Sequence, residues 1–426
     1  MSDPLEQDTP HPLSHDLNGH FDQIGTYPTI GAFLGSDLYA RLQEEIDRVL
    51  DGIAEGRFSR TAPDGRTEVS AVAWNLERGR KLEGLVEVLT QHTRFRSSDV
   101  LLLTELDIGM ARSGNLDIPR EIATRANLNY AFAPSYINLM KGSGLEVEAS
   151  GDNREALHGN AIFSPHPIQD AHSIVLPNGK DKLRGREKRL GSQRAVVATI
   201  DHPAGPFRAV SVHLDAHSSQ RHRHRQMKII LDHLEGTEPD LPTLIGGDWN
   251  TSTGNSRRAV YSILGFYRRV AMGVGHVLTY HYPYPERYFE RALFRTLERR
   301  GFDFRNLNVP GGCTLTYDIV DLAQNSGMAD WLPQWCFAWI KWALRNHDGK
   351  CALKLDWFAG KDLSAVQGGP AVLYDVLRDH GKLSDHDPIA VDFTLQSSGT
   401  FAQTTDPNHQ QRRTRAQRPP GSARRQ

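Results

Sequence analysis

Apolar positions along the chain follow two rhythms. Between residues 36 and 56, Leu38, Leu42, Ile46, Val49 and Ile53 recur at helical spacing, which predicts one amphipathic helix packed on a larger domain. Residues 1 to about 35 keep no period and are expected to be loose. After the turn signal Pro63-Asp64-Gly65 the rhythm shortens. Val69–Trp74, Val100–Leu103, Ala161–Phe163, Ala195–Ile200, Ala209–Leu214, Thr243–Ile245, Leu353–Phe358 and Ile389–Leu395 read as strands. Lys81–His92, with Leu82, Leu85, Val86 and Leu89, and Ser219–Leu234, with Met227, Ile230, Leu231 and Leu234, read as helices between them.

Several of these strands are apolar throughout, which suits inner strands buried on both faces. The fold expected is α/β: a four-layer α/β/β/α sandwich of two mixed sheets. The domain reading follows. Residues 1–67 form an N-terminal extension, and 68–395 the main domain. Residues 396–426 form an Arg-rich tail expected to be disordered, with no acid after Asp406. Residues of about 255–350 break the pattern with Tyr280-His281-Tyr282-Pro283-Tyr284-Pro285, a basic run from Glu286 to Arg300, and Trp331, Trp335, Trp339 and Trp342. This stretch is too long for a bare loop, so a helical insertion is expected.

Composition narrows the picture only a little. The 426 residues carry 50 Lys and Arg against 51 Asp and Glu, so attraction to a polyanion must be local. Cys313, Cys336 and Cys351 match neither a disulfide framework nor a zinc ligand set. The polar start lacks a secretory h-region and no apolar run is long enough to span a membrane. A reducing cytoplasm is therefore the default location.

The informative fact is where polar residues interrupt apolar strands. Asn75 follows Val72-Ala73-Trp74, Glu105 follows Leu101-Leu102-Leu103-Thr104, His213 ends Val210-Ser211-Val212, and Asp248 follows Leu244-Ile245-Gly246-Gly247. A carboxylate buried alone at such a place costs several kcal/mol by rough estimate, so each needs a cation or hydrogen-bond donors. Oxygen ligands such as Glu105, Asp385 and an Asn carbonyl suit hard cations like Mg²⁺ or Mn²⁺. In Gly246-Gly247-Asp248-Trp249-Asn250, glycines allow close backbone approach and the Asp and Asn share one side of an extended chain. In Ser384-Asp385-His386-Asp387-Pro388, an acid beside a histidine offers a metal or orienting group next to a proton-transfer group.

Together with Trp74-Asn75, Ser211-Val212-His213-Leu214-Asp215, Gly159-Asn160-Ala161-Ile162-Phe163-Ser164, Arg223-x-x-Gln226 and Leu355-Asp356-Trp357, these segments resemble the endonuclease/exonuclease/phosphatase (DNase I-like) superfamily in the expected order from Val69 to Leu395. The resemblance implies a divalent-metal-dependent hydrolase of phosphoesters. Glu105 would be the principal metal ligand, assisted by Asn75 and Asp385, with Glu77 standing where some relatives have an Asp ligand. Asp248 would orient or deprotonate the attacking water, Asn250 would bind a phosphoryl oxygen, and His386 would pair with a carboxylate such as Asp356. His213 takes the place of a second active-site His or a Tyr.

Bland readings stand beside these. A lone Asp or Asn after a strand is usually a turn residue, Asp356 could face solvent on an edge strand, and Asp215 could contact substrate or merely bond its own loop. The run Lys180–Arg189 could track a phosphate backbone or be a solvated loop. The Trp stripe could be packing or an interfacial lipid contact. Nucleic acid is the favoured substrate, with a phospholipid phosphodiesterase, a phosphomonoesterase and a catalytically silent binding protein as alternatives.

Overall fold

The computed structural model describes residues 12–59, 65–185, 187–216, 218–251, 259–318 and 341–396. Pro63, Asp64, His217, Trp331, Trp335, Cys336, Trp339 and the Arg-rich segment beyond Gln396 lie outside the described residues.

Two mixed sheets form the centre. The larger has the spatial order Ala54–Gly56, Asn129–Asn138, Leu157–Ser164, Val100–Ile108, Glu68–Arg78, Ile389–Leu395 and Leu363–Ala365, with short strands Arg189–Gly191 and Ala371–Val372 paired alongside. The smaller runs Asp356–Lys361, Thr243–Asp248, Gly205–His213, Arg194–His202 and Ile168–Val175. Strand alternation sorts the apolar residues into three layers. Val69, Ala71, Ala73, Val100 and Leu102 meet Val196, Ala198, Ala209, Leu244 and Phe358 between the sheets. Val72, Trp74, Leu101 and Leu103 face the helices Asp37–Asp51, Leu82–Gln91 and Ile118–Ala126. Val210, Val212, Ile245 and Trp357 face the helices Gln220–Glu235 and Arg291–Arg299. The result is the α/β/β/α sandwich that the continuous apolar runs required.

Two expectations change, and one strand had gone unread. The N-terminal stretch expected to be loose is helical from Leu17, and Leu13, Leu17, Phe21, Ile24 and Phe33 are buried in the core cluster. These apolar residues anchor one by one, at spacings without a period, which is why no pattern announced them. The run Leu353–Phe358 is not one strand but two, Lys350–Leu353 and Asp356–Lys361. The first pairs with Leu315–Asp318 in a separate ribbon, and the second joins the smaller sheet. Asn129–Asn138, fully buried, was hidden by its Asn, Pro and Ser.

The insertion is helical over Ala259–Ala271 and Arg291–Arg299. The second helix belongs to the sandwich proper: Leu293, Phe294 and Leu297 pack into the outer layer, and Glu290, just before it, holds the buried Arg223 at 2.5 Å. No helix among the described residues is long and apolar enough to cross a membrane.

Candidate active site

The side-chain parity that fills the inter-sheet core also delivers the polar residues at its end. Asn75 continues the inner series of Val69, Ala71 and Ala73; Asp248 continues Leu244 and Gly246; His213 continues Ala209 and Ser211; Asp356 precedes Phe358 on the same face. Register brings them together, because Asp248 is the paired neighbour of His213 on one side and of Asp356 on the other. The Gly-Gly before Asp248 has a steric reason. A Cβ on Gly247, at φ +130°, would sit 2.2 Å from the Val212 carbonyl oxygen, and one on Gly246 would press on Leu102 and Phe358 at 2.7 Å.

Glu105 breaks the parity. Leu101 and Leu103 face the helices, so alternation would send Glu105 outward with them. Instead Glu105 adopts φ +57°, and the register slips between Leu103 and Leu106 on one side and between Asn75 and Arg78 on the other, where Glu77 and Arg78 also have positive φ. Such conformations cost about 1–3 kcal/mol each and persist where the surroundings enforce them. The turned carboxylate accepts from Asn75 Nδ2 at 3.2 Å and lies 3.8 Å from His213 Nε2.

Asn75 Nδ2 also reaches Asp248 Oδ2 at 3.2 Å, and the Asn75 carbonyl Oδ1 accepts from the Glu77 N–H at 3.0 Å. Asp248 accepts from the Asn250 backbone N–H at 2.9 Å. His213 Nε2 and His386 Nε2 flank it at 3.5 and 3.7 Å. Asn250, at φ +52°, directs its amide hydrogens to Leu214 O at 2.9 Å and Asp248 Oδ2 at 3.2 Å. As folded it therefore orients Asp248 rather than pointing both donors at open space. Asp356 is buried on its edge strand: its Oδ2 accepts from Thr314 Oγ1 at 2.5 Å and from His386 Nδ1 at 2.7 Å.

The turn carrying Asp385 and His386 is fixed by its own serine. Ser384 Oγ donates to Asn75 O at 2.6 Å and accepts from the His386 N–H, while Trp74 Nε1 donates to His386 O. Asp385 is partly exposed. Burial first and then the charge of Asp385 raise the Glu77 carboxyl, and Glu77 is tied to Arg80. Asp215 is buried and lies outside this group of contacts: it accepts from Gly179 N at 2.6 Å, and its own N–H donates to Gln226 Oε1.

Electrostatics divides these acids. Burial, reinforced by Asp356, pushes Asp248 up to about 6 against the pull of His386 and His213. Burial would also raise Glu105, but Arg78, His213 and His158 overcome it and hold Glu105 well below the usual carboxylate range. Burial disfavours the charged His386 imidazole, yet Asp356 and Asp248 win and hold it protonated well above 6.5. Asp248, Asp356 and His386 bring ligand atoms within 4.8 Å of one another. With a short Nδ1–carboxylate contact at its heart, that trio reads as a proton-holding group; Glu105 stands beside it across Asn75, and Glu105, Glu77 and Asp385 do not converge into a comparable group.

A second trio, Asp99, His166 and His202, lies at the opposite end of the sheets. The Ala204 N–H donates to His202 Nδ1 at 3.0 Å, which leaves the proton of a neutral ring on Nε2. That nitrogen then faces Asp99 as a donor, at 3.5 Å, and has no lone pair for a cation. Arg66 and the Ser70 N–H complete the shell of Asp99. This trio is a structural knot.

Arg78, Thr314 and Tyr317 were not among the residues singled out by their sequence context. Arg78 is the strongest cation acting on Glu105 and is held by Glu146 at 3.1 Å; Thr314 and Tyr317 arrive from the insertion. The only signal for Arg78 is the charged Glu77-Arg78-Gly79-Arg80 at the end of an apolar strand. Conversely, the basic run at 180–189 is largely engaged by the protein: Lys182 contacts Asp215 and the Tyr136 ring, Lys188 donates to Gly25 O, and Arg189 pairs with Glu187.

A family model described as the endonuclease/exonuclease/phosphatase family matches residues 72–386. No curated protein matches the chain. Among solved structures, an endonuclease/exonuclease/phosphatase from Beutenbergia cavernae DSM 12333 is similar at 15% identity and TM-score 0.46, covering 78% of this chain and 72% of that one. A 3′-5′ exonuclease (NExo) from Neisseria meningitidis is similar at 14% identity and TM-score 0.44, with 77% and 100% covered. The human Nocturnin catalytic domain with bound sulfate is similar at 15% identity and TM-score 0.40, with 81% and 97% covered.

Proposed function

Because the chain belongs to the endonuclease/exonuclease/phosphatase family, we propose that it hydrolyses phosphodiesters with the aid of a divalent cation, by in-line attack of water. The observation that carries this reading is Asp248, buried between His213 and His386 and opposite Glu105 across Asn75. The donor set fits Mg²⁺ or Mn²⁺: Glu105, Asp385, Glu77 and the Asn75 carbonyl are hard oxygen groups, and a cation would offset the burial and the Asp385 charge that raise Glu77. Bound there, the cation would neutralise charge on the phosphoryl group.

The chain's own residues do the rest. Asp248, held by the Asn250 amide and by Asn75, accepts the proton of the attacking water. His386, kept charged by Asp356, donates to an oxygen of the phosphate, and His213 donates from the other side. Asn250 acts through Asp248. Nucleic acid is the first substrate to test, on account of the two histidines. A lipid phosphodiesterase is the second reading, favoured by exposed Tyr267, Tyr280, Tyr288 and Trp342 on the insertion.

Purified protein with Mn²⁺ or Mg²⁺ and bis(p-nitrophenyl) phosphate tests the class. Turnover abolished by Asp248→Ala is expected; none above that control with either cation would sink the proposal. Plasmid DNA, single-stranded RNA, sphingomyelin vesicles and soluble inositol phosphates then rank substrates. A preference for vesicles, lost in a Tyr280→Ala, Trp342→Ala double variant, would replace nucleic acid by lipid.

A further inference from the structure

The ribbon Leu315–Asp318 with Lys350–Leu353 belongs to neither sheet, yet it is sewn to the active-site turn. Leu315 bridges His386, the Asp387 N–H donates to Thr314 O at 2.6 Å, and Thr314 Oγ1 donates to Asp356. Two residues beyond Leu315, and so on the same face of the ribbon, stands Tyr317.

Its ring is anchored. Tyr317 packs against Leu315, Leu353 and Leu355, as Tyr282 and Cys351 also do, and it pairs with Cys351 across the ribbon. Its hydroxyl has no hydrogen-bond partner among the described residues. The residue is only partly buried, so this O–H is open to an incoming acceptor. The charges that act on this phenol, after burial, are first Asp385 and Asp248, and then Cys351 and Glu105. An unpartnered donor on the ribbon thus stands two residues from the bridge to His386, within the field of Asp385, Asp248 and Glu105.

We propose that the Tyr317 hydroxyl donates a hydrogen bond to a non-bridging oxygen of the phosphoester, so that the insertion contributes a substrate-contacting residue to the site. The inference rests on the phosphoester reading above. Burial and these acids raise the phenol above its ordinary range, so it stays a neutral donor at every working pH. It neither takes a proton from water nor offers a phenolate to the cation. A donor of this kind is complementary to a phosphate oxygen and to none of the carboxylates' own needs once a cation shares them.

The Tyr317→Phe variant removes the hydroxyl and keeps the ring. With bis(p-nitrophenyl) phosphate and Mn²⁺, kcat/KM should fall about tenfold to a hundredfold, the range expected for one hydrogen bond to a charged group. Inorganic phosphate should inhibit or bind, by calorimetry with Mn²⁺ present, about tenfold more weakly. The Mn²⁺ concentration for half-activation, the Tm and the shape of the pH profile should stay as in the parent. Equal kcat/KM and equal phosphate affinity would overturn the proposal. So would a loss explained by a changed Mn²⁺ requirement, which would tie Tyr317 to the cation. If the parent protein turns nothing over, the phosphoester reading fails; phosphate binding still decides Tyr317, and a parent that binds no phosphate overturns its role.

Discussion

His386 Nδ1 lies 2.7 Å from Asp356 Oδ2, a contact between a turn and a strand start 30 residues apart, and it fixes which nitrogen of the ring faces Asp248. Through this contact an edge-strand carboxylate keeps a buried imidazole charged. Replacing His386 by Ala is expected to lower kcat about a hundredfold to ten-thousandfold, the span typical of a positioned proton-transfer group, and to lower Tm as well, because buried Asp356 loses its ion-pair partner. Steady-state kinetics and a melting curve on the same preparation check it.

Turnover should follow a bell-shaped pH profile. Asp248 must be ionised to accept a proton, and burial raises it to about 6, so the rate should fall as pH drops through about 6. His386 must be charged to donate, and its folded pKa is raised, so the alkaline fall should come well above 6.5. Asp356→Asn removes the main charge that holds the imidazole protonated and should move the alkaline limb to lower pH. A limb that stays put in Asp356→Asn would remove His386 from the assignment.

Glu105 should matter to cation affinity before it matters to chemistry. Chelation with EDTA is expected to abolish turnover reversibly. Mn²⁺ should raise the Tm of the parent protein, with stabilisation of about 2.7 kcal/mol at a hundredfold excess over Kd. In Glu105→Gln the Tm gain should vanish at the same Mn²⁺ concentration. An unchanged thermal response would place the cation elsewhere.

The Asp99 knot predicts a stability effect without a catalytic one. Burial would raise the Asp99 carboxyl, but His166, His202, the Ser70 N–H and Arg66 hold it far below its usual 3.8. A carboxyl lowered on folding stabilises the protein above its unfolded pKa, and that contribution is lost as pH falls through the folded value. Asp99→Asn should therefore cost about 3 kcal/mol near neutral pH, and the gap from the parent should begin to close once pH drops below the unfolded value and vanish only below the folded one. Urea unfolding at several pH values measures this, and kcat of the folded fraction should not move.

Much of the fold was written in the chain's periodicity. Val69–Trp74, Val100–Leu103 and Ala195–Ile200 carry no polar alternation because each is covered on both faces, one by the other sheet and one by helices. The strand Asn129–Asn138 and the anchoring of Leu13 to Phe33 were not legible, because burial there comes from partners distant in sequence. At the site the same division holds. Asn75, His213, Asp248 and Asp356 stand at the parity positions that continue the inner core, so a strand assignment alone aims them together.

Strand rhythm, the ordered motifs and the family were legible in the chain alone, since local alternation and glycine sterics depend on neighbours along the chain. Packing was needed to show that Glu105 turns back into the site through a left-handed residue, that Asp356 is buried against His386 and Thr314, that much of the basic run at 180–189 is engaged within the protein, and that the ribbon bearing Tyr317 is bridged to His386. Each of these depends on register and packing between segments far apart in the chain, where side-chain direction is set by the partner and not by the residue's own neighbours.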